Sequence, residues 1–221
     1  MECSSDIQKH IQHLRSFEKE FIKAAQEVVM AYGGAIYLAD LYTISTSNRA
    51  LNLLIGFCDL IERRNLLAAA PLIRIQLDTL LRYFAMCLVE DINEFLLGVM
   101  NGDFKKQKDR DGKLLQDFYL QEQFVKKHLE YSWVKDVYQK TSGYIHMSEQ
   151  HIFNTIRADE KRDRVIHMRV AKEDPFVEDH IYIEALWLFE EITNIILKYV
   201  DGWRITKANP ELIQQLKKER S

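Results

Sequence analysis

Glycine and proline are sparse in this chain, eight and three among 221 residues. A turn-rich β protein needs more of both, so long helices are favoured. Cysteine is sparse too. Cys3, Cys58 and Cys87 are scattered, odd in number and nowhere spaced C-x-x-C. Cys58 and Cys87 fall in apolar helical patterns, where a reduced, buried thiol is expected. A reducing, cytoplasmic compartment follows. No run approaches the roughly 18 apolar residues of a membrane span. The stretch MECSSDIQKHIQHLRSFEKE is too charged for a signal peptide. No charge of one sign dominates. The net charge of −3 offers no global attraction to nucleic acid or an anionic membrane. No membrane partner is expected. P-loop, G-x-G-x-x-G and G-x-S-x-G motifs are all missing. The nucleotide and hydrolase readings that rest on them lose their support.

What is present is helical periodicity. The length suits one substantial domain over residues 1–221. Ile7, Ile11, Leu14, Phe17, Phe21 and Val28 recur at steps of three and four and predict a helix over 5–32. Ser5 with Gln8 fits a capping box. After Gly33-Gly34 and a short apolar stretch, the hydroxyls of TISTSN suit a helix start, and a second helix is predicted over 47–65. Pro71 suits the first turn of a third, running to 89. DINEFLLGVM is a shorter helical piece, and two further segments cover 117–131 and 133–147. At residue 151 the character changes. HIFNTIR and RVIHMRV predict a β-hairpin over 151–157 and 164–170. Pro175 then opens a last long helix over 175–201. A tail over 203–221 holds a small helix capped by Asn209 with Pro210 in its first turn. The fold class is mainly α: a helical bundle with a small hairpin before its last long helix.

The third helix is apolar nearly all round, which places it inside the bundle. Yet Arg74, Asp78 and Arg82 fall at i, i+4 and i+8, on one stripe. Charges there must be paired, because an unpaired buried charge is strongly destabilising. Asp78 can serve Arg82, acid before base. One positive charge is left over. Its acceptor is Asp59, Glu62 or Glu149, or a ligand phosphate or carboxylate gripped by the planar guanidinium. The first outcome is an interhelical lock, the second a binding site.

A second stripe lies in YQKTSGYIHMSEQHIF. Tyr138, Ser142 and His146 share one helical face, and Glu149 and His151 follow past the helix end. A histidine beside a hydroxyl and a carboxylate suits a general acid or base. It equally suits a hydrogen-bonded bridge between helices. Tyr138, Ser142, Glu149 and His151 are candidate ligand-binding residues. No metal and no cofactor are expected, because the histidines are not joined by a carboxylate-rich pattern. The loop KKQKDRDGK is locally basic. It is a solvated surface loop, or a flap in which Lys108 and Lys113 touch a phosphate.

These stretches carry a resemblance. NRALNLLIGFCDLIERRN, APLIRIQLDTLLRYFAM, KDRDGK with DFYL, and SGYIHMSEQHIF resemble a group of uncharacterised bacterial helical proteins. The resemblance spans about residues 35–200. Similar sequences lie near the HEPN-like superfamily, some of whose members act in phage defence and toxin–antitoxin systems. In HEPN ribonucleases a histidine and an arginine, in a composite site across a dimer, help the RNA 2′-hydroxyl attack the adjacent phosphate without a metal. Their signature is an arginine, a polar residue, three more residues and a histidine. Arg162-Asp163-Arg164-Val165-Ile166-His167 matches it in letters. The context departs: the signature opens a helix, whereas Val165 to Val170 reads as a strand. A site built from Arg74, Asp78, Arg82 and His146 is expected instead, on the residues and not on the family motif.

Two functions follow as expectations. One is a metal-independent endoribonuclease or defence effector acting on RNA or another phosphate-bearing ligand. His146 would be its acid–base group, Arg74 and Arg82 would hold the phosphate, and Asp78 would orient an arginine. The other is a non-catalytic helical module for interaction or small-ligand binding. A homodimer suits both, through the first helix or the hairpin edge.

Overall fold

The computed structural model describes residues 3–146, 148–159 and 161–211. Eight helices carry most of the chain. They are α1 (Ser5–Met30), α2 (Leu38–Glu62), α3 (Leu66–Phe84), α4 (Ile92–Met100), α5 (Asp117–Lys127), α6 (Val134–Ile145), α7 (Glu149–Thr155) and α8 (Asp179–Ala208). Between α7 and α8 lie two antiparallel strands, β1 (Ile156–Ala158) and β2 (Ile166–Met168). The four long helices close a ring: α1 packs on α2 and α8, and α3 packs on α2 and α8. Phe57 of α2 stacks on Phe189 of α8 at 4.3 Å between ring centres. Helices α5 and α6 cover the remaining side of α3. Twelve of the nineteen residues of α3 are therefore buried, which makes it the central helix its composition predicts. No helix among the described residues is long and apolar enough to cross a membrane.

Several boundaries differ from the sequence expectation, each for a local reason. Ser5 does not cap α1; Ser4 stands at that position and its side chain makes no capping bond. Helix α2 begins nine residues before the expected start at 47, because the Tyr37 amide donates to the Asp40 carboxylate at 2.8 Å. The hydroxyls of TISTSN then lie inside the helix. Thr43 and Ser47 turn back to the carbonyls of Ala39 and Thr43 at 2.7 and 2.9 Å. Helix α3 starts at Leu66, where Asn65 Oδ1 accepts from the Ala68 amide at 3.0 Å. Pro71 thus sits beyond the first turn, where its missing N–H forfeits one helical bond. Helix α3 ends at Phe84, and a 3-10 turn over Ala85–Cys87 replaces its expected last turn.

The hairpin is shorter than its β-branched residues predict. Ser148 accepts from the Gln150 amide, and His151 Nδ1 accepts from the Ser148 amide at 3.2 Å. This reciprocal cap converts the expected first strand from 151 into α7. Pro175 lies in a turn before α8, which starts at Asp179. Gly202 does not end α8. Lys207 and Trp203, both beyond it in α8, bond Asp40 of α2 at 2.9 and 2.8 Å. Such anchoring outweighs the ~1 kcal/mol that glycine costs in a helix. Asn209 is the C-cap of α8, and Pro210 and Glu211 directly after it are helical again, where the small tail helix is expected; residues 212–221 of that tail lie outside the described residues.

Candidate functional site

The polar stripe of α3 meets a carboxylate that the sequence reading passed over. Asp117 opens α5, and α5 packs on α3. Asp117 Oδ1 accepts from Arg82 Nη2. Its Oδ2 accepts from the Tyr138 hydroxyl at 2.8 Å and lies 3.6 Å from Arg74 Nη2. Asp78 takes the other side of Arg82, accepting from Nε at 3.1 Å. Arg82 Nη1 also reaches the Leu115 carbonyl at 3.4 Å. Phe104 packs against this guanidinium, 4.3 Å from ring centre to carbon.

Arg74 is more enclosed. It is 9% exposed, and its guanidinium carbon lies 3.2 Å from the centre of the Tyr138 ring. Its Nε is buried without a partner among the described residues. Burial pulls the Arg74 pKa below its ordinary value, against Tyr138, Asp78 and Asp117. Burial and the bond to Asp117 push the Tyr138 hydroxyl up to about 12, so it stays a donor at neutral pH. Arg74 and Tyr138 therefore serve as a strut between α3 and α6.

The open part of this region is a cleft of about 300 Å³ between α2 and α3. Tyr42, Ser45, Thr46 and Arg49 line it from α2, at steps that share one helical face. Asp78, Thr79 and Arg82 line it from α3, and Phe104 closes one side. Arg49 Nε donates to Thr79 Oγ1 at 2.9 Å. Its Nη2 is 3.7 Å from Asp78 Oδ2, too long for a hydrogen bond, and its side chain is 53% exposed. The linked network holds three guanidiniums, Arg49, Arg74 and Arg82, against two carboxylates, Asp78 and Asp117. It carries a net charge of one positive unit, and Arg49 is its least committed cation.

The acceptors expected for the stripe are occupied elsewhere or remote from it. Asp59 and Glu62 both take Arg15 of α1 at 2.8 Å. Glu149 is exposed at the first position of α7. His146 is not with the arginines. It is the exposed C-cap of α6, eight residues beyond Tyr138, which is about 12 Å along a helix. Between them, the Ser142 hydroxyl is spent on the Tyr138 carbonyl at 2.8 Å. His151 serves the cap of α7. Of the second stripe, only Tyr138 touches the first.

The basic loop is organised by its acids. Asp109 accepts from the amides of Asp111 and Lys113 at 3.0 and 2.8 Å, and from the Tyr119 hydroxyl. Burial alone would raise Asp109, but these donors hold it below the usual carboxylate range. Arg110 caps the end of the α3 segment, donating to the Leu88 carbonyl from Nε at 3.2 Å and to the Cys87 carbonyl from Nη2 at 3.0 Å. Lys108 and Lys113 are exposed, with the Lys113 ammonium 5.6 Å from the Tyr119 ring centre. Neither lines the cleft; Phe104 is the residue of that segment that does.

The letters of the HEPN signature lie on the hairpin. His167 is in β2 and bonds Asp159 at 3.0 Å through Nε2, so the motif does not open a helix. No group of three or more His, Cys, Asp or Glu among the described residues is placed to hold a metal. Arg49 and Asp117 were both missed from sequence. A signal for Arg49 existed: once α2 is extended back to Leu38, Tyr42, Ser45, Thr46 and Arg49 fall on one helical face. For Asp117 the only signal was an acid in a helix's first turn, which is common for dipole reasons alone. Compared with family models, curated proteins and solved structures, the chain matches none.

Proposed function

We propose that this protein is a non-catalytic helical binding module whose cleft between α2 and α3 takes a small anionic ligand. One observation carries the reading. The cleft is bordered by a network with one more guanidinium than carboxylate, and the half-exposed Arg49 makes no hydrogen bond to a carboxylate. An arginine so placed suits a carboxylate or phosphate oxygen. Ser45 and Thr46 add hydroxyls from the same face of α2, and Phe104 adds an apolar wall. At about 300 Å³ the cleft is at the small end of ligand sites, which favours a metabolite-sized ligand over a polymer. Arg74, Asp117 and Tyr138 act behind it as a structural lock.

A ribonuclease built on His146 draws no support from this geometry, because the histidine and the arginines do not share one cleft. Calorimetric titration with inorganic phosphate, sugar phosphates and small carboxylic acids tests the binding reading. We expect one of these to bind, with the affinity falling at least about tenfold in Arg49→Gln, the scale of one lost charged hydrogen bond. Binding unchanged in Arg49→Gln, or no binding by any of these anions, would sink it. RNA cleavage in EDTA that is lost in a folded His146→Ala variant would replace it with the ribonuclease.

A further inference from the structure

The hairpin is the part of the sequence that neither the cleft nor the core absorbs. Its register pairs Ile156 with Met168, Arg157 with His167, and Ala158 with Ile166. Alternation therefore places Ile156, Met168, Ala158 and Ile166 on one face and Arg157 and His167 on the other. In an antiparallel sheet such a pattern normally covers a core. Here, among the described residues, it is mostly uncovered: Ile156 is half-buried, and Ala158, Ile166 and Met168 are exposed. The principal contacts of the strands are with each other and with α7, and every residue of β2 is exposed. Ile166 is 59% exposed and Met168 73%. Val170 just after β2 and Phe153 in α7 are exposed as well.

Charge is segregated to the same place. Residues 157–172 contain Arg157, Lys161, Arg162, Arg164, Arg169 and Lys172, all exposed, against three acids. Six bases and three acids give the hairpin a charge of +3, and the rest of the chain is then −6. The whole-chain value of −3 hides this polarity. Residues 157–172 are thus a positive, apolar-faced stretch in an otherwise negative chain.

We infer that the hairpin docks on an anionic lipid surface, its apolar face entering the headgroup boundary and its bases pairing with lipid charge. Apolar side chains flanked by basic ones are the composition of an interfacial anchor. The number of bases falls in the range read as anionic-lipid binding. The negative charge of the rest of the chain would turn the hairpin toward such a surface. Nucleic acid would use the bases but leave Ile166 and Met168 in water. A second copy docked hairpin to hairpin would cover the apolar face but bring two charges of +3 together. The lipid surface satisfies both features at once.

The test is flotation of the full chain with vesicles of phosphatidylcholine alone, or of phosphatidylcholine mixed with phosphatidylglycerol. Binding is expected to the mixed vesicles only, with release by added salt. Ile166→Glu/Met168→Glu and Arg162→Glu/Arg164→Glu should each weaken it by about tenfold or more. Neither pair should shift the melting temperature, because all four residues are exposed. Equal binding to neutral vesicles, no binding to mixed ones, or retention by both variants would overturn the inference. So would a lipid-free dimer, seen by light scattering, that Ile166→Glu/Met168→Glu dissolves. Retention of an RNA oligonucleotide lost only in Arg162→Glu/Arg164→Glu would overturn it likewise.

Discussion

Lys207 and Asp40 form an ion pair with both side chains fully buried, the ammonium 2.9 Å from the carboxylate. The pair joins the last turn of α8 to the first turn of α2. Each member has further partners. Lys207 also donates to the Val28 carbonyl of α1 at 2.7 Å, and Asp40 also accepts from Trp203 and the Tyr37 amide at 2.8 Å. Three long helices are pinned at one end of the bundle by two side chains.

Removing one member should therefore be costly. Lys207→Ala leaves a buried carboxylate without its cation, and the loss should be about 3–5 kcal/mol by urea denaturation. Lys207→Met with Asp40→Asn, which removes both charges, should recover a large part of that loss. Equal stability of Lys207→Ala and the wild type would refute the role given to the pair.

Asp117 should matter more than His146. Asp117→Ala strips an acceptor from Arg82 and Tyr138 and a nearby countercharge from Arg74. Because Asp117 is 41% exposed, we expect about 1–3 kcal/mol, between the values for an exposed and a buried pair. His146→Ala, at an exposed position, should stay within about 0.5 kcal/mol. The reverse order in thermal melts would show that the polar lock has been misplaced.

Asp174 offers a test of sign. It accepts from the Leu67 amide at 2.8 Å at the start of α3, and burial raises its pKa despite that bond and one to the Leu66 amide. A carboxylate raised in the folded state penalises folding as pH climbs from its unfolded pKa through its folded one. Asn keeps an acceptor without the charge. Asp174→Asn should be at least as stable as the wild type at pH 7, and any advantage should vanish below about pH 4. Asp174→Ala, which loses the acceptor, should cost about 1–2 kcal/mol. A destabilised Asp174→Asn at neutral pH would count against the argument.

Asp109 should behave oppositely. Its pKa is held down in the folded state, so its contribution is present above the unfolded value of about 3.9 and lost as pH falls through the folded one. Asp109→Asn should destabilise the loop at pH 7, seen as faster amide exchange at Asp111 and Lys113. The difference from the wild type should close under acid. A gap that persists once the pH has fallen below the folded pKa of Asp109 would mean that the carboxylate charge is not what orders the loop.

Much of the fold was legible because it rests on local rules. Periodicity placed α1, α3 and α8, and the apolar circumference of α3 marked the bundle's centre. That Arg74, Asp78 and Arg82 need partners also followed from composition alone. The start of α2 and the first strand were misread because hydroxyl-rich and β-branched runs are ambiguous. TISTSN can cap a helix or back-bond within one, and the Asp40 cap upstream selected the second. The β-branched run after Ser148 was claimed as helix by the Ser148–His151 cap.

The sequence by itself determined a helical bundle, its central helix, and the need to pair a charged stripe within it. Those follow from spacing along one chain and from the cost of burying charge. Tertiary structure alone decided that Asp117 answers Arg82 and Tyr138, that Arg49 stands at an open cleft, and that His146 lies apart. These depend on which helix faces which, across separations of tens of residues that no local pattern encodes. The same holds for the hairpin: its alternation was readable, but only the packing shows that, among the described residues, its apolar face is mostly uncovered.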